Sequence, residues 1–177
     1  QRCNPHSSKT PAAPDPAWAR SVVGPAGGLV RGANATPQEL RLSPDGKWFL
    51  IADRLRNGVW VIDAHTQKYA RFVPTGKGAH GIYPSRDASR IYVSNRDEGS
   101  ISVVDGATLA PLAKWKIPGS GSPDMGGVTA DGKELWLSGR YNSVVYVFDT
   151  SSGKRAHRIP VRPGPTGRPA RPHAGRH

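Results

Sequence analysis

Ser85-Arg86-Asp87-Ala88-Ser89-Arg90-Ile91-Tyr92-Val93-Ser94-Asn95, followed by Gly99-Ser100-Ile101-Ser102-Val103-Val104-Asp105, is the passage on which the fold turns. An Asp-centred bend leads into a short apolar strand, a glycine-containing turn and a second apolar strand. The passage occurs twice more. The bend reads Ser43-Pro44-Asp45-Gly46 at 42 residues before and Thr129-Ala130-Asp131-Gly132 at 44 residues after. The strand Val93-Ser94-Asn95 is matched by Ile51-Ala52-Asp53 and Leu137-Ser138-Gly139 at the same two spacings. The strand Val103-Val104-Asp105 is matched in the same way by Val61-Ile62-Asp63 and Val147-Phe148-Asp149. Three landmarks that keep one spacing mark a structural repeat.

Outward from these landmarks, each unit reads strand, turn, strand, turn, strand. In the first unit Glu39 to Leu42 is a short strand and Trp48 to Ala52 a second. Asn57-Gly58 signals a hairpin turn. Val59 to Asp63 is a third strand and Tyr69 to Val73 a fourth. Between the first two strands, Pro44 presets φ, Asp45 bonds its own backbone and Gly46 accepts positive φ. Four strands in about 42 residues is the size of a β-propeller blade. Several strands are continuously apolar, as Val144 to Phe148 is, which fits sheets buried on both faces. No stretch keeps a helical period without Gly or Pro.

The predicted fold is all-β: three blades of four antiparallel strands plus a partial one, an incomplete ring. The blades span 37–78, 79–121 and 122–161. Residues 1–36 form a leader whose apolar scraps, Ser21 to Gly24 and Gly27 to Val30, suit the last strand of a preceding blade. Residues 162–177 form a basic Pro/Gly-rich tail, expected to be disordered. The chain begins with Gln1 and carries no signal segment, so it is read as a processed chain or a fragment of a longer propeller. Thr75 to Gly78 and Pro118 to Gly121 read as crossovers between blades. Ser122 to Gly127 reads as a turn between blades, its glycines otherwise letting backbone approach a ligand closely. Trp48, Trp60, Trp115 and Trp136 fall on strands, with a role in packing blade on blade.

Bulk composition excludes several classes. The longest apolar runs, Trp48 to Ala52 and Val144 to Phe148, are far short of the roughly 20 residues that cross a membrane. A single cysteine, Cys3, rules out an intrachain disulfide and a zinc site of paired cysteines. The formal net charge is +12, but residues 37–161 hold 17 Lys/Arg against 12 Asp/Glu, while the other 52 residues hold 8 against 1. A basic excess concentrated in the termini fits solvated tails, not a nucleic-acid surface. No specific nucleic-acid partner is expected. Asn34-Ala35-Thr36 is a glycosylation sequon only in a eukaryotic secretory chain. Gly127 to Lys133 has phosphate-loop spacing, but Glu134 stands where a hydroxyl must hold magnesium.

Ile91-Tyr92-Val93-Ser94-Asn95 with Gly99 to Asp105 resembles the YVTN-type β-propeller repeat. Ser94 replaces the Thr of that pattern, and Phe49 to Asp53 and Leu135 to Gly139 depart further. The bends Pro44-Asp45-Gly46-Lys47 and Asp131-Gly132-Lys133 are also similar to the family. The resemblance covers about residues 37–161. It implies a propeller, often seven-bladed, and an extracellular or periplasmic location. It implies no single activity.

Two sets of equivalent residues are candidates for a site. Gln38, His80 and Asp124 stand just before the innermost strand of each blade, and Arg54, Arg96 and Arg140 just after each second strand. In an antiparallel sheet both positions lie at one edge, so both sets share one face of the propeller. Three arginines at a channel mouth suit a carboxylate or phosphate ligand. His80 with Asp124 or Glu39 suits general-base chemistry. Against both stands a purely structural reading, in which Asp53, Asp97 and Glu98 neutralise the arginines. No catalytic set, metal site or cofactor is assigned. The expected function is a non-catalytic binding or interaction scaffold, with an unknown protein or a small anionic ligand as partner and open blade edges able to self-associate. The alternatives are a lactone-opening hydrolase using His80, Glu39 and the arginines, and a redox-cofactor propeller. Two substitutions follow: Arg96→Ala weakens anion binding with little loss of stability, and Trp136→Ala destabilises by about 3–5 kcal/mol if its ring is buried between blades.

Overall fold

A computed structural model describes residues 35–161. Twelve strands form three separate four-stranded sheets. The first blade holds β1 (Pro37–Leu42), β2 (Trp48–Asp53), β3 (Gly58–Asp63) and β4 (Tyr69–Pro74). The second holds β5 (Ala79–Pro84), β6 (Arg90–Asn95), β7 (Ser100–Asp105) and β8 (Pro111–Lys116). The third holds β9 (Pro123–Val128), β10 (Glu134–Gly139), β11 (Val144–Asp149) and β12 (Arg155–Pro160). Each sheet runs in chain order, and every adjacent pair is antiparallel. These are propeller blades, and the ring is not closed.

The repeated bend explains the β1–β2, β5–β6 and β9–β10 connections. In each, a hydroxyl donates to the aspartate two residues on: Ser43 to Asp45, Ser85 to Asp87 and Thr129 to Asp131, all at 2.6 Å. The same hydroxyl accepts the amide that starts the next strand: Trp48 at 3.0 Å, Arg90 at 2.9 Å and Glu134 at 3.1 Å. These bonds hold the carboxyls of Asp45 and Asp131 below their ordinary range and that of Asp87 at about 2. The fourth bend residue has positive φ in all three blades: Gly46 at 73°, Ala88 at 62° and Gly132 at 76°. Only glycine takes that conformation without steric cost, so Ala88 is strained. The β2–β3 turn is longer than a minimal hairpin, and Asn57, at φ 63°, takes the left-handed position instead of Gly58.

The core lies between blades. The strand side chains alternate, so each blade has a leading face toward the preceding blade and a trailing face toward the next. Leu50, Ala52, Val59 and Val61 on the first trailing face pack on Ile82, Ile91 and Val93 of the second blade. Tyr83, Tyr92, Ile101 and Val103 on the second trailing face pack on Leu135, Leu137, Tyr146 and Phe148 of the third. Each fully buried large side chain contributes roughly 1.5–3 kcal/mol. The outer strands β8 and β12 are mostly exposed, and β4 is half-buried. Trp115 lies between Tyr92 and Phe148, with ring centroids 5.3 Å and 6.2 Å away.

Two expectations are corrected. Trp136 is 39 % exposed, and its indole N–H donates to Glu134 at 2.9 Å. It occupies the trailing-face position of Leu50 and Tyr92, but on the third blade no described blade follows to cover it. A loss of about 3–5 kcal/mol on its truncation is therefore not expected. Ser122 to Gly127 is not a turn: Pro123–Val128 forms β9, the inner strand of the third blade. Its glycine content serves close strand approach, since a Cβ at Gly126 would stand 1.8 Å from the Trp136 carbonyl oxygen. Residues 1–34 of the leader, where a partial blade is expected, with Cys3 and Asn34, and the tail of residues 162–177 lie outside the described residues.

Candidate functional site

The starts of β1, β5 and β9 and the ends of β2, β6 and β10 lie at one edge of their sheets, as the register pairs Pro37 with Asp53, Ala79 with Asn95 and Pro123 with Gly139. Gln38, His80, Asp124 and the three arginines are therefore all set at one face. Four of the six converge. Arg96 Nε and Nη2 donate to one oxygen of Asp124, at 3.1 Å and 2.5 Å. Arg140 Nη1 reaches the other oxygen at 3.4 Å. His80 Nδ1 lies 3.0 Å from the oxygen that Arg96 holds. That distance suits an ion pair, but the angle forms no hydrogen bond, and Nδ1 is a buried atom without one. A weak electrostatic contact is the physical content of this pair.

The cluster spans the second junction, between the second and third blades, and the hub is the third blade's Asp124. Its side chain is 6 % exposed, as is that of Arg96, while Arg140 is 56 % exposed. The backbone of Asp124 is held from the second blade as well. Tyr83 Oη donates to its carbonyl oxygen at 2.9 Å and Ser94 Oγ at 3.0 Å. The Gly81 amide donates to Ser94 Oγ at 2.8 Å. A Cβ at Gly81 would stand 1.9 Å from Tyr83 Oη, so a glycine is needed there for Tyr83 to reach across. Burial pushes the His80 imidazole below its usual range; Asp124 opposes this and Arg96 reinforces it.

The other two candidates lie apart from the hub. Arg54 makes a two-pronged pair with Asp97 of the second blade, at 3.0 Å and 3.2 Å, and both side chains are over a third exposed. Gln38 is exposed and donates to the Thr36 and Pro37 carbonyls. Asp53 is buried and accepts from its own turn and from the Trp60 indole, so it neutralises no arginine of the set. Glu98 accepts from Lys114 and the Lys77 amide. Glu39 reaches the second blade, accepting from the Ile82 amide at 2.8 Å, and is also paired with Arg41.

Sequence reasoning missed Tyr83, Ser94 and Gly81. Tyr83 and Ser94 meet a partner 41 and 30 residues away on another blade, Gly81 matters only through them, and nothing in their local pattern signals it. Because Arg96 is buried against Asp124, Arg96→Ala cannot leave stability untouched: it would strand a buried carboxylate. That expectation is corrected too. At the opposite edge of the sheets an open cleft of about 310 Å³ is lined by Arg86, Asp87, Arg90, Asp131 and Thr150. Its arginines are engaged with carbonyls: Arg86 with Val128 and Thr129, Arg90 with Thr150. Among the described residues, no three His, Cys, Asp or Glu side chains are grouped to hold a metal ion, and no helix is long and apolar enough to cross a membrane.

Comparison with known proteins agrees with the fold. The YNCE-like beta-propeller family profile matches residues 56–176. No curated protein matches the chain. Among solved structures, Kuenenia stuttgartiensis hydrazine synthase superposes with TM-score 0.64 at 24 % identity, over 73 % of this chain and 37 % of that one. A putative 6-phosphogluconolactonase from Bacteroides uniformis gives 0.61 at 24 % identity, over 75 % of this chain and 43 % of its own. The RRP9 WD40 repeats give 0.62 at 12 % identity, over 73 % and 40 %. The chain thus spans less than half the length of these structures. Identities this low carry the fold alone.

Proposed function

The chain belongs to the YNCE-like β-propeller family, and on that premise we propose that it is a non-catalytic binding propeller whose Arg140 face takes a small anionic ligand. One observation carries the reading. Arg54 and Arg96 are each matched by a well-formed carboxylate pair, whereas Arg140 is 56 % exposed and touches Asp124 only at 3.4 Å. Asp124 already carries the charge of Arg96, so two guanidiniums share one carboxylate. The excess positive charge sits at an accessible edge of a buried polar cluster. A guanidinium there presents a planar fork to a carboxylate or phosphate. Family resemblance further supports an extracellular or periplasmic setting.

Titration calorimetry with citrate and inorganic phosphate tests this. The expected result is binding that weakens at least about tenfold in Arg140→Ala, roughly one charge-assisted hydrogen bond. Arg54→Ala should leave the affinity unchanged, because Arg54 is spent on Asp97. Equal affinity in wild type and Arg140→Ala would overturn the reading.

One contact favours a second reading, the lactone-opening hydrolase. Asp124 stands beside Nδ1 of a His80 that burial keeps neutral, which suits a general base presenting its other nitrogen. Lactone turnover lost in His80→Asn, with folding retained, would support it. Arg96 competes for the same Asp124 oxygen, which is why this reading stands second.

A further inference from the structure

Arg86 and Arg90 stand on either side of the second blade's bend, at positions that hold Pro44 and Trp48 in the first blade and Ala130 and Glu134 in the third. The bend itself therefore needs neither. Both arginines line the open cleft of about 310 Å³ at the second junction, on the edge of the sheets away from Asp124. That volume lies at the small end of the range for ligand sites, roughly 300–1,000 Å³. Asp87 of the second blade and Asp131 of the third line the same cleft. So does Tyr92, which is 1 % exposed.

Charges of both signs thus line one cleft, and each is held by neutral partners instead of by the other sign. Arg86 donates through Nε and Nη2 to the carbonyls of Thr129 and Val128, and Arg90 through Nη1 to that of Thr150. Asp87 accepts from Ser85 Oγ, Ser89 Oγ and the Ser89 amide. Asp131 takes the Thr129 hydroxyl and the Lys133 amide on Oδ1, which leaves Oδ2 without a donor from another described residue. Among the described residues neither arginine of the cleft forms an ion pair. At the other edge of the sheets Arg54, Arg96 and Arg140 each touch a carboxylate. A guanidinium held by carbonyls keeps its full charge while its side chain is already fixed, so little rotamer freedom remains to be lost on binding.

We propose that this cleft binds a small zwitterion, an α-amino acid whose carboxylate meets Arg86 and Arg90 and whose ammonium meets Asp131. A simple anion gains from the arginines and loses to the two aspartates, which the bends keep ionised. A simple cation meets the reverse. A ligand with both charges gains from the arginines of the second blade and from the free carboxylate oxygen of the third. The cleft is separate from the Arg140 face and does not depend on what binds there.

The test is an amide-resolved NMR titration of the full chain with each of the standard amino acids, and with acetate and methylammonium as single-charge controls. Concentrations up to about 10 mM reach millimolar dissociation constants. The expected result is that at least one amino acid shifts the amides of residues 85–90, 131–132 and 150–151, which line the cleft. It should bind at least about tenfold more tightly than either control. Asp131→Asn keeps an acceptor for the bend but loses the charge, so it should fold and weaken that amino acid at least about tenfold. Arg90→Gln should do the same; circular dichroism checks its folding, and Asp131→Asn decides where it fails to fold. If no amino acid shifts those amides, the proposal is overturned. Shifts at the Arg140 edge alone, acetate binding as tightly as the amino acid, or an affinity that Asp131→Asn leaves unchanged would each overturn it too.

Discussion

The first junction, between the first and second blades, and the second, between the second and third, share an arginine position and lock it onto carboxylates at different positions of the next blade. At the first, Arg54 meets Asp97 in the open, with side chains 40 % and 36 % exposed. At the second, Arg96 meets Asp124 with both at 6 %. The apolar parts are alike, so the difference lies in which carboxylate the arginine meets, Asp97 after the second strand or Asp124 in the inner strand, and in how deeply that pair is buried. An exposed pair exchanges water for a partner at almost no net gain. A buried pair adds little when intact but is expensive to break, because one charge is left in a dry site. The same arginine position therefore gives an optional contact at one junction and an obligatory one at the next.

The largest expected effect is at Asp124. Its replacement by Ala leaves Arg96 buried without a counter-charge and should cost about 3–5 kcal/mol, read by urea denaturation. A loss below about 1 kcal/mol would make the two junctions equivalent. Gly81→Ala comes next. It pushes Tyr83 off the Asp124 carbonyl and should cost about 1–3 kcal/mol without touching any charge. An unchanged stability would mean that the backbone bond contributes nothing to the second junction. Asp97→Ala should cost at most about 1 kcal/mol, and salt should erase the effect.

Two smaller effects concern the bends, which are common to all blades and serve as the internal control. Ala88→Gly relieves a positive φ and should stabilise by about 0.5–1 kcal/mol, detectable as a raised melting temperature. The aspartates of the bends have folded pKa values below their unfolded ones, with Asp87 at about 2 against an ordinary 3.8. Depressed carboxyls stabilise the fold above the unfolded value and lose that contribution as pH falls through the folded one. Stability should therefore fall between about pH 4 and pH 2, and Asp87→Asn should flatten the fall. A profile unchanged by that substitution would contradict the bend geometry.

The strands and bends were legible in the sequence because their causes are local. Ser43-Asp45, Ser85-Asp87 and Thr129-Asp131 announce themselves within three residues, and the spacing then repeats them. Choosing which residues share a face followed from antiparallel geometry. What stayed hidden depended on stacking between blades. Arg96 has Asp97 beside it in sequence and bonds Asp124 instead, because the neighbouring blade brings that carboxylate to it. Trp136 looks like Tyr92 in sequence; whether it is covered depends on the presence of a following sheet. The glycines of β9 read as a turn, since sequence alone does not distinguish a glycine that bends the chain from one that admits a neighbour's carbonyl.

The most direct test of the unequal junctions is a pair of double-mutant cycles, Arg96 with Asp124 and Arg54 with Asp97, each measured by denaturant unfolding. The account predicts a coupling of about 1.5–3 kcal/mol for the buried pair and below about 1 kcal/mol for the exposed one. Equal couplings, or a buried pair that couples near zero, would contradict it.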